Sequence, residues 1–337
     1  MPHRFQLKTR IRMVIDDCSV PAKICAVPVT VAVLSLFLAF LASPVAYAQA
    51  PAGPHRPAGV PDGYVITPFG YFHPSCVLHM AEGETLLAGG RVIQHADGTL
   101  DNVAACEYPR YTASGEIVIA GAKPPSIGHS WIESADATTS TSYGELTATW
   151  TVPPAPTSNN GQTIYVFPGL EDIDDIVSII QPVLGWNADF RSAWGIASWN
   201  CCPSGITVES AAVRVSSGNE IRGVMKDTCS AGTLACPTWN VVTKDVTTGH
   251  STTLSNTPNE GQTFNWAFAG ALEVYDVVEC SDYPSNGSLT FSDVALYDDN
   301  FNRISSPGWS ITLWASGLTP QCGYGGQVAA TQVTLDY

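Results

Sequence analysis

Charge is what this sequence has least of. Asp, Glu, Lys and Arg make up only 13% of its 337 residues. Lys and Arg together number 15 against 30 acids, a formal net charge of −15. The basic footprint that grips phosphates is missing, which excludes DNA and RNA as partners. Histidine is scarce as well: beyond residue 126 there are only His129 and His250. No Gly-x-Ser-x-Gly elbow occurs, so a Ser–His–Asp hydrolase lacks its motif. No Cys-x-x-Cys pair occurs either, so zinc lacks its ligands and no metal or cofactor is expected. No amphipathic helical pattern runs longer than about two turns. What is abundant is apolar residues (45%), Gly (29), Pro (24) and stretches of Thr, Ser and Val. That mixture excludes disorder and suits short strands joined by tight turns.

The first 23 residues carry Arg4, Lys8, Arg10, Arg12 and Lys23, followed by an apolar run from Ala26 to Leu41 and then Ala46-Tyr47-Ala48. A basic start, a short apolar core and an A-x-A site describe a secretory signal peptide, with cleavage after Ala48. The run is short for a membrane span, so no membrane association is expected after cleavage. Removing five basic and two acidic residues takes the balance to 10 against 28, or −18. Such an acidic surface suits acidic surroundings, where carboxylates are partly protonated, and leans towards a monomer. Eight of the ten cysteines remain, an even number in an exported chain, which reads as disulfides. Cys76–Cys106 and Cys229–Cys236 are paired by proximity; the partners of Cys201, Cys202, Cys280 and Cys322 are not deducible.

Residues 49–125 form a Pro/Gly-rich leader followed by a small accessory block, with one bridge to staple a core of about 60 residues. Ala122-Lys123-Pro124-Pro125 marks the boundary. Residues 126–337 read as all-β. Glu145 to Val152, Gly205 to Val215, Trp239 to Val246 and Gly287 to Leu296 alternate polar and apolar side chains, and turn signals such as Asn159-Asn160-Gly161 and Asn286-Gly287 recur between them. This is the pattern of an antiparallel β-sandwich, of the concanavalin A-like or jelly-roll kind.

Three places could carry chemistry. With period two, Val177, Ile179, Gln181 and Val183 share one strand face, and a Gln among such residues must have its amide hydrogen-bonded or offer it to a ligand. It could donate N–H to an oxyanion; the plainer reading is a Gln at a sheet edge marked by Pro182. Ala271, Glu273, Tyr275 and Val277 share another face, where a carboxylate would have a raised pKa and could act as acid or base; the plainer reading is a solvated face with Glu273 and Glu279. Trp194 and Trp199 flank a strand that could line a groove for a peptide or a sugar, or could simply be core. The acidic run Glu171-Asp172-Ile173-Asp174-Asp175 matches neither a calcium loop nor a glucanase cluster in its spacing.

Taken in order, these segments resemble the glutamic endopeptidases of the eqolisin type. Tyr143 to Pro153 resembles the opening strand that ends in Val-Pro. Ile164 to Leu170 resembles the strand with a Trp-Val-Gly core, and Ile180-Gln181 with Gly185-Trp186 the segment bearing the catalytic Gln. Trp194 to Trp199 resembles the Trp-rich strand, and Ala271 to Val274 the segment bearing the catalytic Glu. Three positions depart from the family pattern: Pro182-Val183 after the Gln, Ser198 in place of an acid, and Tyr165 or Phe167 in place of a Trp. The resemblance implies two curved antiparallel sheets with a concave cleft, activity at acid pH on a polypeptide substrate, and no cofactor. It implies Glu273 as general base, Gln181 as oxyanion donor, and Trp186, Trp194, Trp199 and Tyr275 lining the cleft. It also implies that residues 49–125 are a propeptide or accessory module. Two rival expectations stand beside it: a non-catalytic, lectin-like sandwich that binds carbohydrate through its Trp residues, and a glycosidase, which needs a second acid about 5–9.5 Å from Glu273.

Overall fold

A computed structural model describes residues 56–87, 89–118, 130–174, 177–314 and 321–337. The signal segment, the start of the leader and the 122–125 boundary lie outside the described residues. Among those described, regular structure is strand, with three single-turn 3-10 helices.

Two antiparallel sheets make the sandwich. The larger runs, in spatial order, Ser310–Leu313, Trp131–Thr138, Trp266–Tyr275, Thr163–Glu171, Ile179–Trp186, Trp194–Cys201, Thr207–Ser210 and Val77–Met80. The last pairs in parallel with Thr207–Ser210, so a strand from the N-terminal block forms one edge of this sheet. The second sheet runs Ser251–Pro258, Thr238–Asp245, Glu220–Asp227, Tyr143–Thr151, Ser288–Asp298, Gln332–Asp336 and Gly325–Ala329.

The alternation seen in the sequence decides which side chains meet between the sheets. Leu146, Ala148 and Trp150 from one sheet pack with Ile164, Val166, Ile180, Leu184, Ala267 and Leu272 from the other. The intermediate strands of the larger sheet are buried on both faces, so their sequences are nearly continuous apolar runs rather than alternating ones. Polar bonds also cross the sandwich: Ser198 Oγ bonds Thr243 Oγ1 at 2.9 Å and donates to the Thr252 carbonyl at 3.1 Å, and Asn200 Nδ2 donates to Thr257 Oγ1 at 2.7 Å.

The structure corrects the placing of Pro182 at an edge. Its strand lies inside the larger sheet, paired on both sides. Pro182 points towards the second sheet, where Gly223 leaves room: a Cβ there would stand 2.5 Å from Pro182 Cγ.

Four disulfides join Cys76–Cys106, Cys201–Cys202, Cys229–Cys236 and Cys280–Cys322. The two expected from proximity are among them.

Candidate active site

The outer face of the larger sheet, turned away from the second sheet, carries a second apolar cluster. Tyr165, Phe167, Ile179, Val183, Ala197, Trp199, Phe268, Ala271 and Tyr275 belong to it. Period two puts Gln181 on this face between Ile179 and Val183, and Glu273 between Ala271 and Tyr275. Both are wholly buried, at 0% exposure.

Trp186 and Trp194 do not line this face. Each falls on the opposite parity, and they pack together in the core between the sheets, ring centroids 5.4 Å apart. Their part in a cleft is therefore corrected to a structural one. Trp199 and Tyr275 do lie on the outer face.

Glu273 is held by a neighbour two residues on. Tyr275 Oη donates to Glu273 Oε1 at 2.7 Å, while Oε2 has no hydrogen-bond partner. Burial pushes this carboxyl up to about 8, against the opposing pull of Tyr275, Ser130 and Trp131. Gln181 is barer still: neither its Oε1 nor its Nε2 has a partner. A buried amide left unpaired costs about 1–3 kcal/mol, which a bound donor or acceptor would recover.

The strand register fixes how these groups stand to one another. Tyr165 pairs with Glu273 on one side and Gly185 on the other. The pairs Val166–Leu184 and Leu170–Ile180 place Gly169 opposite Gln181, and a Cβ built on Gly169 would lie 3.6 Å from Gln181 Cγ. Gln181 and Glu273 thus share a face but sit on strands separated by Thr163–Glu171, and four residues apart along it. That offset is roughly 13 Å. They do not converge on one water, as the pairing of general base and oxyanion donor requires.

The acid beside Gln181 is a different one. Glu171 has the parity of Tyr165, Phe167 and Gly169, so it faces outward, two positions beyond Gly169 and paired with Trp266 and Ile179. It is 4% exposed, and its Oε2 has no partner. Burial first, and the neighbouring Asp172 second, push its carboxyl well above the usual range; the Arg110 guanidinium pulls it back. The acidic run hid this residue, but counting in twos from Gly169 would have found it. A further outward acid, Glu209, pairs laterally with Trp199, has His79 Nδ1 at 3.0 Å and is pushed up to about 7 by burial.

The N-terminal block covers this face. The hairpin of Val65–Thr67 and Gly70–Phe72 lies on it: the Gly70 N–H donates to Tyr275 Oη at 2.8 Å, and Tyr165 Oη donates to the Ile66 carbonyl at 3.3 Å. Phe69 meets Trp199 edge-on at 6.2 Å. Arg110 reaches the Cys201–Cys202 pair, with Nη1 2.8 Å from Cys202 Sγ, and lies over the Phe72 ring. Among the described residues no group of three or more His, Cys, Asp or Glu is placed to hold a metal ion.

No family model matches the chain, and no curated protein does. Among solved structures it is similar to Scytalido-glutamic peptidase bound to a peptide-based transition state analog, at 18% identity and TM-score 0.45, covering 62% of this chain and 98% of that one. It is similar to SCP-B, a member of the eqolisin family of peptidases in a complex with the tripeptide Ala-Ile-His, at 19% identity and TM-score 0.42 over the same shares. It is also similar to aspergilloglutamic peptidase from Aspergillus niger, at 15% identity and TM-score 0.38, over 52% of this chain and 98% of that one. These are the glutamic peptidases that the order of segments in the sequence resembles.

Proposed function

We propose that the chain is an exported, acid-active endopeptidase that lays an extended polypeptide along the outer face of its larger sheet. A buried glutamate activates water there, and the Gln181 side chain donates N–H to the oxyanion. The observation that carries this reading is the Gln181 amide, wholly buried with both polar atoms unpaired on a face that also bears buried carboxyls. Such an arrangement is expensive in a resting protein and suited to a ligand that brings carbonyls and amides.

Glu273 meets the bound chain about four residues from the peptide group at Gln181, since an extended chain advances about 3.3 Å per residue. With its pKa near 8 it is protonated under acid conditions, so it donates a hydrogen bond to a substrate carbonyl. Trp199 and Tyr275 supply apolar contact. The hairpin 65–72 occupies this face, so residues 49–125 act as a propeptide that must move or be cut before substrate enters. A sugar-binding strip is favoured less, because Trp186 and Trp194 face the core.

The test is digestion of an unfolded protein from pH 2 to 7 by the purified chain and by Gln181→Ala, before and after limited proteolysis of the N-terminal block. Cleavage confined to low pH and lost in the variant is expected. Absence of cleavage by either form of the parent would reject the peptidase reading and send the protein to a glycan-binding assay.

A further inference from the structure

We infer that Glu171 is the catalytic carboxyl that works with Gln181. The inference deepens the peptidase reading and rests on it.

On paired antiparallel strands a residue and its diagonal neighbour have Cα atoms about 7–8 Å apart, within reach of long side chains. Glu171 and Gln181 are such a pair: Gln181 stands opposite Gly169, and Glu171 is the next outward residue beyond it. Gly169 contributes no side chain between them, and Ile179 Cδ1 and Phe268 Cδ2 lie over it, 3.4 and 3.5 Å from where its Cβ would stand. Both groups are buried, and each ends in an atom with no hydrogen-bond partner, Glu171 Oε2 on one side and Gln181 Oε1 and Nε2 on the other. Trp266 and Ile179 flank Glu171 and keep the carboxyl away from water. An unpaired carboxyl oxygen beside an unpaired amide is the constellation that amide hydrolysis needs.

The step balances without a cofactor. The Glu171 carboxylate takes a proton from a water molecule, whose oxygen forms a bond to the scissile carbonyl carbon. The carbonyl π pair moves to its oxygen, where Gln181 Nε2–H receives the charge. Collapse breaks the C–N bond, and the Glu171 proton goes to the leaving nitrogen, giving an acid and an amine. In the covered state Arg110 is the cation facing Glu171 and Asp172 the anion. Departure of the N-terminal block withdraws Arg110, which raises the carboxyl's pKa, and opens it to solvent, which lowers it; burial is the larger of the two causes, so the uncovered Glu171 ionises more readily and can act as the base.

The experiment is steady-state kinetics of the full chain, after limited proteolysis of the block, on an unfolded protein at its optimal acid pH. The variants are Glu171→Gln, Glu171→Asp, Gln181→Ala, Glu273→Ala and the double Glu171→Gln/Gln181→Ala, with far-UV and near-UV circular dichroism confirming the fold of each. Glu171→Gln is expected to lower kcat roughly 10²–10³-fold with KM nearly unchanged, as loss of a group acting only in the transition state does. The double variant should lose little more than either single one, because the two groups act as a unit. Glu171→Asp should recover part of the rate, and Glu273→Ala should act mainly on KM. Retained kcat in Glu171→Gln with kcat lost in Glu273→Ala would overturn the inference and leave the peptidase standing. Strict additivity of the Glu171 and Gln181 losses would also overturn it. A parent protein that cleaves nothing would remove both readings together.

Discussion

The backbone N–H of Gly70 donates to the hydroxyl of Tyr275 across 205 positions of sequence, at 2.8 Å. That hydroxyl in turn donates a hydrogen bond to Glu273 Oε1, so a chain of two bonds from the N-terminal block ends on a carboxyl in the middle of the larger sheet. Tyr275→Phe breaks both links. The carboxyl then loses the hydrogen bond that opposes its burial, and its pKa should climb above the value of about 8. The melting temperature should also fall, by the equivalent of about 1–3 kcal/mol. A pH titration of the Glu273 carboxyl by NMR and a thermal scan check the two parts.

Stability should decline as pH rises from about 4.5 to 8. Glu133, Glu209 and Glu273 are all buried, and burial pushes their carboxyls up to about 8, 7 and 8. Each holds its proton in the folded state over a range where the unfolded chain has already released it. Their contribution is therefore complete below the ordinary Glu value and is lost as pH climbs through the raised ones. Denaturant midpoints measured at pH 4, 6 and 8 should fall in that order; a rise would mean the carboxyls ionise normally in the fold.

Two tryptophans five residues apart should behave oppositely. Trp194 lies between the sheets, so Trp194→Ala should cost about 3–5 kcal/mol in stability. Trp199 lies on the outer face against Phe69. Trp199→Ala should raise KM for a polypeptide about two- to tenfold, the worth of an aromatic contact of about 0.5–1.5 kcal/mol. Chemical denaturation and initial-rate kinetics on the two variants separate the roles.

Gly223→Ala should destabilise by about 1–3 kcal/mol without touching the outer face. Its new methyl would stand 2.5 Å from Pro182 Cγ and 3.1 Å from Trp150 Cη2, both in the core. A calorimetric scan checks the loss, and unchanged KM checks that it stays local.

The sandwich was legible because its strands alternate over six to nine residues between clear turn signals, as from Tyr143 to Thr151 and from Thr238 to Asp245. The strands of Gln181 and Glu273 do not alternate, being buried on both faces, and there the lone Gln and the lone Glu among apolar residues drew attention. What alternation cannot say is which strand lies beside which. The offset between Gln181 and Glu273 depends on the register of an intervening strand, and the interior position of Pro182 depends on pairing on both sides. Trp186 and Trp194 were within reach of simple counting, since each has the wrong parity relative to Gln181 or Trp199. Glu171 was concealed by its neighbours: among five residues of which four are acids, nothing in composition separates the one that lies on the covered outer face. Cys201 and Cys202 adjoin in sequence, but adjacency did not by itself choose a bridge between them over one to Cys280 or Cys322, which lie 42 residues apart.

The Val77–Met80 strand gives the N-terminal block a second tie to the sandwich. It completes the larger sheet by lying parallel to Thr207–Ser210, and Cys76 at its start is bridged to Cys106. A cut in the chain between 76 and 106 would leave the two pieces joined by sulfur. Complete excision past Met80 would strip a row of hydrogen bonds from Thr207–Ser210 and create a bare sheet margin, able to recruit an extended segment from another molecule. On the proposed trimming of the N-terminal block, whatever liberates the outer face must either leave this strand in place or supply a substitute for it.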